Sequence, residues 1–294
     1  MQILLTGGTG FIGSELCKKL IASKHKLTIL TRKSLQNNDK IIYINDLDQK
    51  EFLYDVVINI AGEPISKYWT LQSKKKIYDS RINLTKKLVK KINESTNKPS
   101  LFISGSAIGY YGISSRLKFN EDSKTAYNVN LFSQKICQDW ERQAELVNKK
   151  VRLVKIRTGI VLGKSGGALK KMITPFKLGL GGKIGSASQY MSWIDIKDAV
   201  EAIIFIINNE KICGAVNLTS PNCVTNSEFT TILAKILNRP CFFNMPEFVV
   251  KILFGQMGQE LLLSGQRVYP QTLLESGFEF KYGKLEQSLS SILI

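Results

Sequence analysis

The chain has 294 residues, 44% of them hydrophobic, enough for one large globular domain with a smaller companion. Lys and Arg number 41 against 24 Asp and Glu, a formal charge of +17. The lysines are scattered along candidate helices such as 73–92, and no Arg-rich stripe with interleaved aromatics appears, so no nucleic-acid partner is expected. No apolar run reaches the roughly 18 to 20 residues needed to span a bilayer. The first residues enter a strand pattern directly and do not read as a leader, so a cytoplasmic protein with no membrane partner is expected. Five cysteines without C-x-x-C spacing read as buried free thiols. A single histidine, His25, leaves nothing for a His-based metal site or a Ser-His-Asp triad, and no metal is expected.

Strand and helix signals then alternate, the pattern of a parallel sheet covered on both faces. Ile3 to Leu5 reads as a buried strand, Gly7 to Gly13 as a tight turn, and Phe11 to Ala22 as a helix. Strands follow at Lys26–Leu30, Ile41–Ile44 and Val56–Ile60, then a long helix at 73–92 with Ile77, Leu84, Leu88 and Ile92 on one side. Leu101–Ile103 is strand five, Asn130 to Leu146 a helix and Val151 to Ile156 strand six, with Ile160 to Leu162 leading into a loop. Residues 163–190 are glycine-rich and read as a surface excursion or substrate cover. A helix is expected from Asp195 to Ile207, with Asp198 as its cap, and a last strand at Val216–Leu218. Asn226 is the expected cap of a helix running to Leu237, and 240–294 form a small mixed tail. The expected fold is α/β: a Rossmann-type doubly wound parallel sheet over residues 1–218, with a small mixed α/β domain over 219–294 packing on the cleft.

The chemistry-bearing signal is Thr6-Gly7-Gly8-Thr9-Gly10-Phe11-Ile12-Gly13, between an apolar strand and a helix. Absent side chains let the backbone approach a pyrophosphate, and the helix N-terminus offers free N–H groups and partial positive charge. NAD-specific sites place an acid about 20 residues further on, against the ribose hydroxyls. Here Thr31-Arg32-Lys33 stand instead, and Arg32 suits a 2′-phosphate, which points to NADP(H). Sheet geometry adds Asp46 after strand three, Asn59-Ile60-Ala61-Gly62 after strand four and Ser104-Gly105-Ser106 after strand five. Each is a cofactor contact or an ordinary loop residue.

These stretches resemble the extended short-chain dehydrogenase/reductase superfamily, and within it the epimerase family proteins that carry a small C-terminal domain of unknown function. The resemblance also rests on Ser104–Gly112, Arg157–Gly163, Pro175–Gly182, Met191–Asp195 and Ser264–Pro270. It implies NADP(H) binding with Arg32, Ile60, Ala61, Arg81 and Val161 at or near the cofactor, a small-molecule substrate, and a homodimer as one possible assembly. It places Ser106 at the superfamily's catalytic serine. A Tyr-x-x-x-Lys pair belongs on the helix after strand five, where Lys135 fits the lysine but Leu131 stands four residues before it. Tyr110 or Tyr111 could supply the phenol, or both could be packing aromatics. Trp193 is core or cleft lining, Arg157 an ion-pair partner or a ligand contact, and Arg267 meets an acidic substrate or pairs with Glu260 or Glu275. Three functions remain open: an NADP(H)-dependent oxidoreductase or epimerase-like enzyme, a non-catalytic NADP(H)-binding redox sensor or partner-binding protein, and a charge-driven nucleic-acid or membrane-surface binder.

Overall fold

The structure is a computed structural model and describes residues 1–48, 51–126 and 131–294. It opens β1 (Gln2–Thr6), α1 (Phe11–Ala22), β2 (Lys26–Leu30), β3 (Ile41–Ile44), β4 (Val56–Asn59), α2 (Leu71–Glu94) and β5 (Leu101–Ala107). A single 3-10 turn (Ile108–Tyr111) leads to β6 (Lys118–Phe119), α3 (Phe132–Ala144), β7 (Arg152–Thr158), β8 (Ile160–Leu162) and α4 (Gly167–Lys177). Then come β9 (Tyr190–Met191), β10 (Trp193–Asp195), α5 (Ile196–Asn208), β11 (Gly214–Leu218), β12 (Val224–Thr225) and α6 (Asn226–Leu237). The chain ends with α7 (Glu247–Leu261), β13 (Arg267–Val268), α8 (Gln271–Glu275) and α9 (Leu285–Leu293).

Seven strands form one parallel sheet in the order β11-β7-β5-β4-β1-β2-β3. The chain winds outward from β1 to β3, then restarts with β4 on the other side of β1. The loops beyond β1 and β4 therefore diverge and leave a crevice at the carboxyl ends of the strands. Strand residues such as Ile3, Leu5, Val56 and Ile58 face α1 and α5, whereas Leu4, Val57 and Phe102 face α2 and α3. The expected doubly wound sheet is what forms.

Three local expectations change. The glycine-rich excursion contains α4, because Leu169, Met172, Ile173 and Phe176 recur at helical spacing and pack into a third core with α6 and α9. The cap of α5 is Asp195, which accepts from the Lys197 N–H at 2.8 Å, while Asp198 accepts the N–H groups of Lys281 and Tyr282 from the tail. Helix α6 starts after Thr225, whose hydroxyl and the Glu228 carboxylate form a reciprocal capping box, and Asn226 is its first residue. The expected helix start at Asn130 lies outside the described residues.

The C-terminal segments are tied to the sheet domain by carboxylates. Leu131 precedes α3 without offering a side-chain cap, and Glu260 of α7 takes that role. Its oxygens accept from the Phe132 N–H at 3.2 Å, the Ser133 N–H at 2.9 Å and the Ser133 hydroxyl at 2.7 Å. A buried negative charge there also complements the helix dipole. Glu260→Ala is expected to cost about 2 kcal/mol by chemical denaturation; a loss below about 0.5 kcal/mol would show that α7 docks without it.

Candidate cofactor crevice

At the end of β1 the backbone turns through Gly7 at φ +78°, a left-handed conformation that favours glycine. A Cβ on Gly7 would lie 2.9 Å from the backbone of Ile60 and Ala61, and one on Gly13 only 2.1 Å from the Gly7 carbonyl oxygen. The glycines thus let β1, the loop after β4 and the first turn of α1 touch backbone to backbone. Gly10 begins α1 without a side-chain cap. The N–H groups of that first turn, over Phe11, Ile12 and Gly13, have no intrahelical partner and form an anion-binding end. Gly8 rests on Ile29, with Thr9 exposed beside it. The Phe11 ring is covered by Gly163, Gly166 and Gly167, so the glycine-rich excursion begins by folding over the start of α1.

The neighbouring strand ends complete the crevice. Thr31 is tied to β3 by its N–H on the Ile44 carbonyl at 2.9 Å. Arg32 projects beyond it with 95% of its side chain exposed, and Glu63 is 3.8 Å away. Asp46 is exposed, and its carboxylate accepts the Asp48 N–H at 3.2 Å within its own turn. Beyond β4, the Ala61 N–H donates to the Thr6 hydroxyl at 3.3 Å, and Thr6 donates in turn to Asn59 at 2.7 Å. Arg81, on α2, lies against Gly62, where a Cβ would meet its guanidinium at 2.8 Å. It donates to the carbonyls of Glu63 and Ile77, both at 3.0 Å, and among the described residues it forms no ion pair within 4.0 Å. Burial pushes its pKa below the ordinary arginine value. A half-buried cation held by two carbonyls, the Ser80 hydroxyl at 3.5 Å and the Trp140 ring is suited to an anionic ligand. Val161 is buried on β8 opposite Ile194 and adds to the core beneath the excursion.

Beyond β5 the expected catalytic groups enter a buried network. Ser104 is fully buried. Gly105 leaves room for Trp140, whose ring carbon would be 2.6 Å from a Cβ there. The Ser106 hydroxyl donates to the Glu141 carboxylate at 2.7 Å, and Arg157 holds Glu141 with two N–H bonds of 2.8 and 2.9 Å. Burial works against the Arg157 charge, but Glu141 more than compensates and holds its pKa above the ordinary arginine range. Arg157 also donates to the Tyr111 hydroxyl at 2.9 Å, and Tyr111 donates to Asn217 at 2.8 Å. Tyr110 is half-buried, its ring stacked 3.5 Å beneath the Arg157 guanidinium. Of the two phenols, only Tyr110 is exposed at all. Arg157 is thus an ion-pair partner, and Trp193 is core. Arg267 lies over the Tyr190 ring at 5.5 Å, not against Glu260.

Helix α3 corrects the position of Lys135. Ser133, Gln134, Ile136, Cys137, Asp139, Trp140, Glu141 and Ala144 are its buried residues, and Lys135 among them is exposed to solvent. Its ammonium pairs with Asp139 at 2.6 Å, with 67% of the side chain exposed. Tyr78 joins that surface cluster by donating to Asp139 at 3.0 Å. The inward i, i+4 pair is Ser133 and Cys137, and burial pushes the Cys137 thiol up to about 12.

The model of the NAD dependent epimerase/dehydratase family matches residues 3–218. The chain belongs to that family. A domain of unknown function (DUF1731) matches residues 245–292. A chloroplastic epimerase family protein SDR39U1 homolog from Arabidopsis thaliana is 38% identical over 306 residues, covering 100% of this chain and 87% of that protein. The epimerase family protein YfhF of Bacillus subtilis is 36% identical over 301 residues, covering 100% and 98%. The crystal structure of human epimerase family protein SDR39U1 (isoform2) with NADPH superposes at a TM-score of 0.92, with 32% identity and 99% of both chains covered.

Glu141, and the role of Glu260 at the start of α3, escaped sequence reasoning, since both meet their partners through tertiary packing. Tyr111 gives the network a pH signature. Burial pushes its phenol up from 10.0 to about 12, against the pull of Arg157. The folded state keeps this proton to higher pH than the unfolded chain, so its contribution is complete below pH 10 and declines toward pH 12. Up to about 2 kcal/mol is lost over that window. Tyr111→Phe is expected to flatten the decline in denaturation measured across it; an unchanged slope would place the titration elsewhere.

Proposed function

We propose that this chain binds NADP(H) in the crevice and exchanges hydride between it and a small substrate held under the C-terminal segments. The carrying observation is the set of basic and glycine positions around one gap. The α1 N-terminus opens behind a turn that no Cβ could enter, Arg81 lies against Gly62 in the loop that meets this turn and has no ion pair among the described residues, and Arg32 follows β2 where an NAD site would carry an acid. Gly7 to Gly13 would cradle the pyrophosphate, with Arg32 on the 2′-phosphate and Ile60, Ala61 and Gly62 flanking the cofactor's path. The bound nicotinamide would supply the hydride. Ser106 and Tyr110 are the polar groups nearest the end of β5. The human relative of known structure, which was crystallised with NADPH, supports this cofactor.

A second reading is a non-catalytic NADP(H)-binding protein, such as a redox sensor. The arrangement of α3 favours it: an apolar Leu131 before the helix, Lys135 turned to solvent, and the Ser106 proton committed to Glu141. Cofactor binding and turnover are measured separately. Arg32→Ala is expected to raise the Kd for NADPH about tenfold or more while leaving that for NADH nearly unchanged; an equal effect on both would remove the 2′-phosphate assignment. NADPH oxidation across a broad carbonyl panel, abolished in Ser106→Ala, would favour the enzyme. Tight binding without turnover of any panel member favours the sensor.

A further inference from the structure

Helix α7 buries Val250 and Met257 and leaves Phe248, Ile252 and Leu253 facing outward. Just before it, Phe242 is 87% exposed and Phe243 58%. This segment lies along the end of the glycine-rich excursion. The Met245 N–H donates to the Lys183 carbonyl at 2.8 Å, and a Cβ on Gly182 would collide with the Phe243 carbonyl. Leu180, two residues before Gly182, is also exposed. Exposed apolar residues are ordinary when single, but a contiguous aromatic and aliphatic patch on a soluble fold marks a binding surface.

Charge selects the occupant. Residues 164–185 and 239–256, the two stretches that meet at Gly182–Ile184 and Phe243–Met245, hold seven Lys and Arg and one acid, Glu247. That acid is paired with Lys251 at 2.6 Å. A second copy would set this basic frame against its own kind, on a molecule already carrying +17. An anionic bilayer surface satisfies both features: its headgroups meet the cations and its acyl boundary takes the aromatic and aliphatic side chains. No helix among the described residues is long and apolar enough to cross a membrane, so the contact is superficial. We propose that the outward face of α7, with the Phe242–Phe243 segment and Leu180, docks on anionic lipid surfaces. Considered as sequence, the lysines are dispersed charge; folding sets the Lys183 end of the excursion against the segment that carries the exposed phenylalanines.

The test is co-sedimentation of the full chain with vesicles of phosphatidylcholine alone, or containing about one-quarter phosphatidylglycerol. Binding to the anionic vesicles only is expected. The triple variant Phe243→Ser, Phe248→Ser, Ile252→Ser should lower partitioning about tenfold or more, with Tm and NADPH affinity unchanged. Three outcomes would overturn the proposal: no vesicle binding; binding that the triple variant retains and about 0.5 M salt abolishes, which is lysine electrostatics alone; or a wild-type dimer in light scattering that the triple variant lacks, which makes a second copy the occupant.

Discussion

Glu141 and Arg157 meet in a space that is almost closed to water, and the architecture around the crevice depends on that contact. The pair joins α3 to β7. Through Ser106 it reaches β5, and through Tyr111 and Asn217 it reaches β11. Two N–H bonds to one carboxylate fix the guanidinium plane, and Tyr110 stacks upon it. Such a pair recovers its desolvation cost only when its remaining hydrogen-bonding groups are satisfied. Ser106, Lys155 and Tyr111 help to do that here. Ser106 is thereby held as a donor to Glu141, which leaves only its lone pairs for a further hydrogen bond.

The same economy recurs where the C-terminal segments attach. Glu121 accepts the N–H groups of Asn217, Gln271 and Thr272, linking a loop beyond β6 to β11 and the start of α8. Asp198 accepts two N–H groups of the tail, Asp195 the Ser288 hydroxyl, and Glu260 the first N–H groups of α3. Burial raises the pKa of Glu121, Asp195 and Asp198 despite these bonds. A chain with few acids therefore places several of them inside, as clamps on distant backbone. Its lysines are left to dominate the surface, which is how a fold with an ordinary core comes to present so basic an exterior.

Much of the crevice was legible in the chain because its signals are local. An apolar run, four tightly spaced glycines and a helix pattern sit within a few residues of one another, and the missing acid after β2 lies one element further on. The alternation of strands and helices predicted the parallel sheet for the same reason. The α4 helix was obscured by its glycine-rich flanks, although Leu169, Met172, Ile173 and Phe176 carried the helical period. Arg81 was indicated only by family resemblance; the folded chain supplies the reason, by setting it against Gly62.

The sequence by itself determined the turn that can hold a dinucleotide, the strands that flank it and the basic residue at the tip of β2. Those depend on backbone freedom and side-chain period, which neighbouring residues settle. Tertiary structure alone decided which side of α3 meets the crevice. A helix advances 100° per residue, so a shift of two positions separates the inward pair Ser133 and Cys137 from the outward Lys135. It likewise decided that Glu260, 127 residues away from Ser133, would cap that helix. Contacts at such separations come from packing one element on another, and no local pattern encodes them.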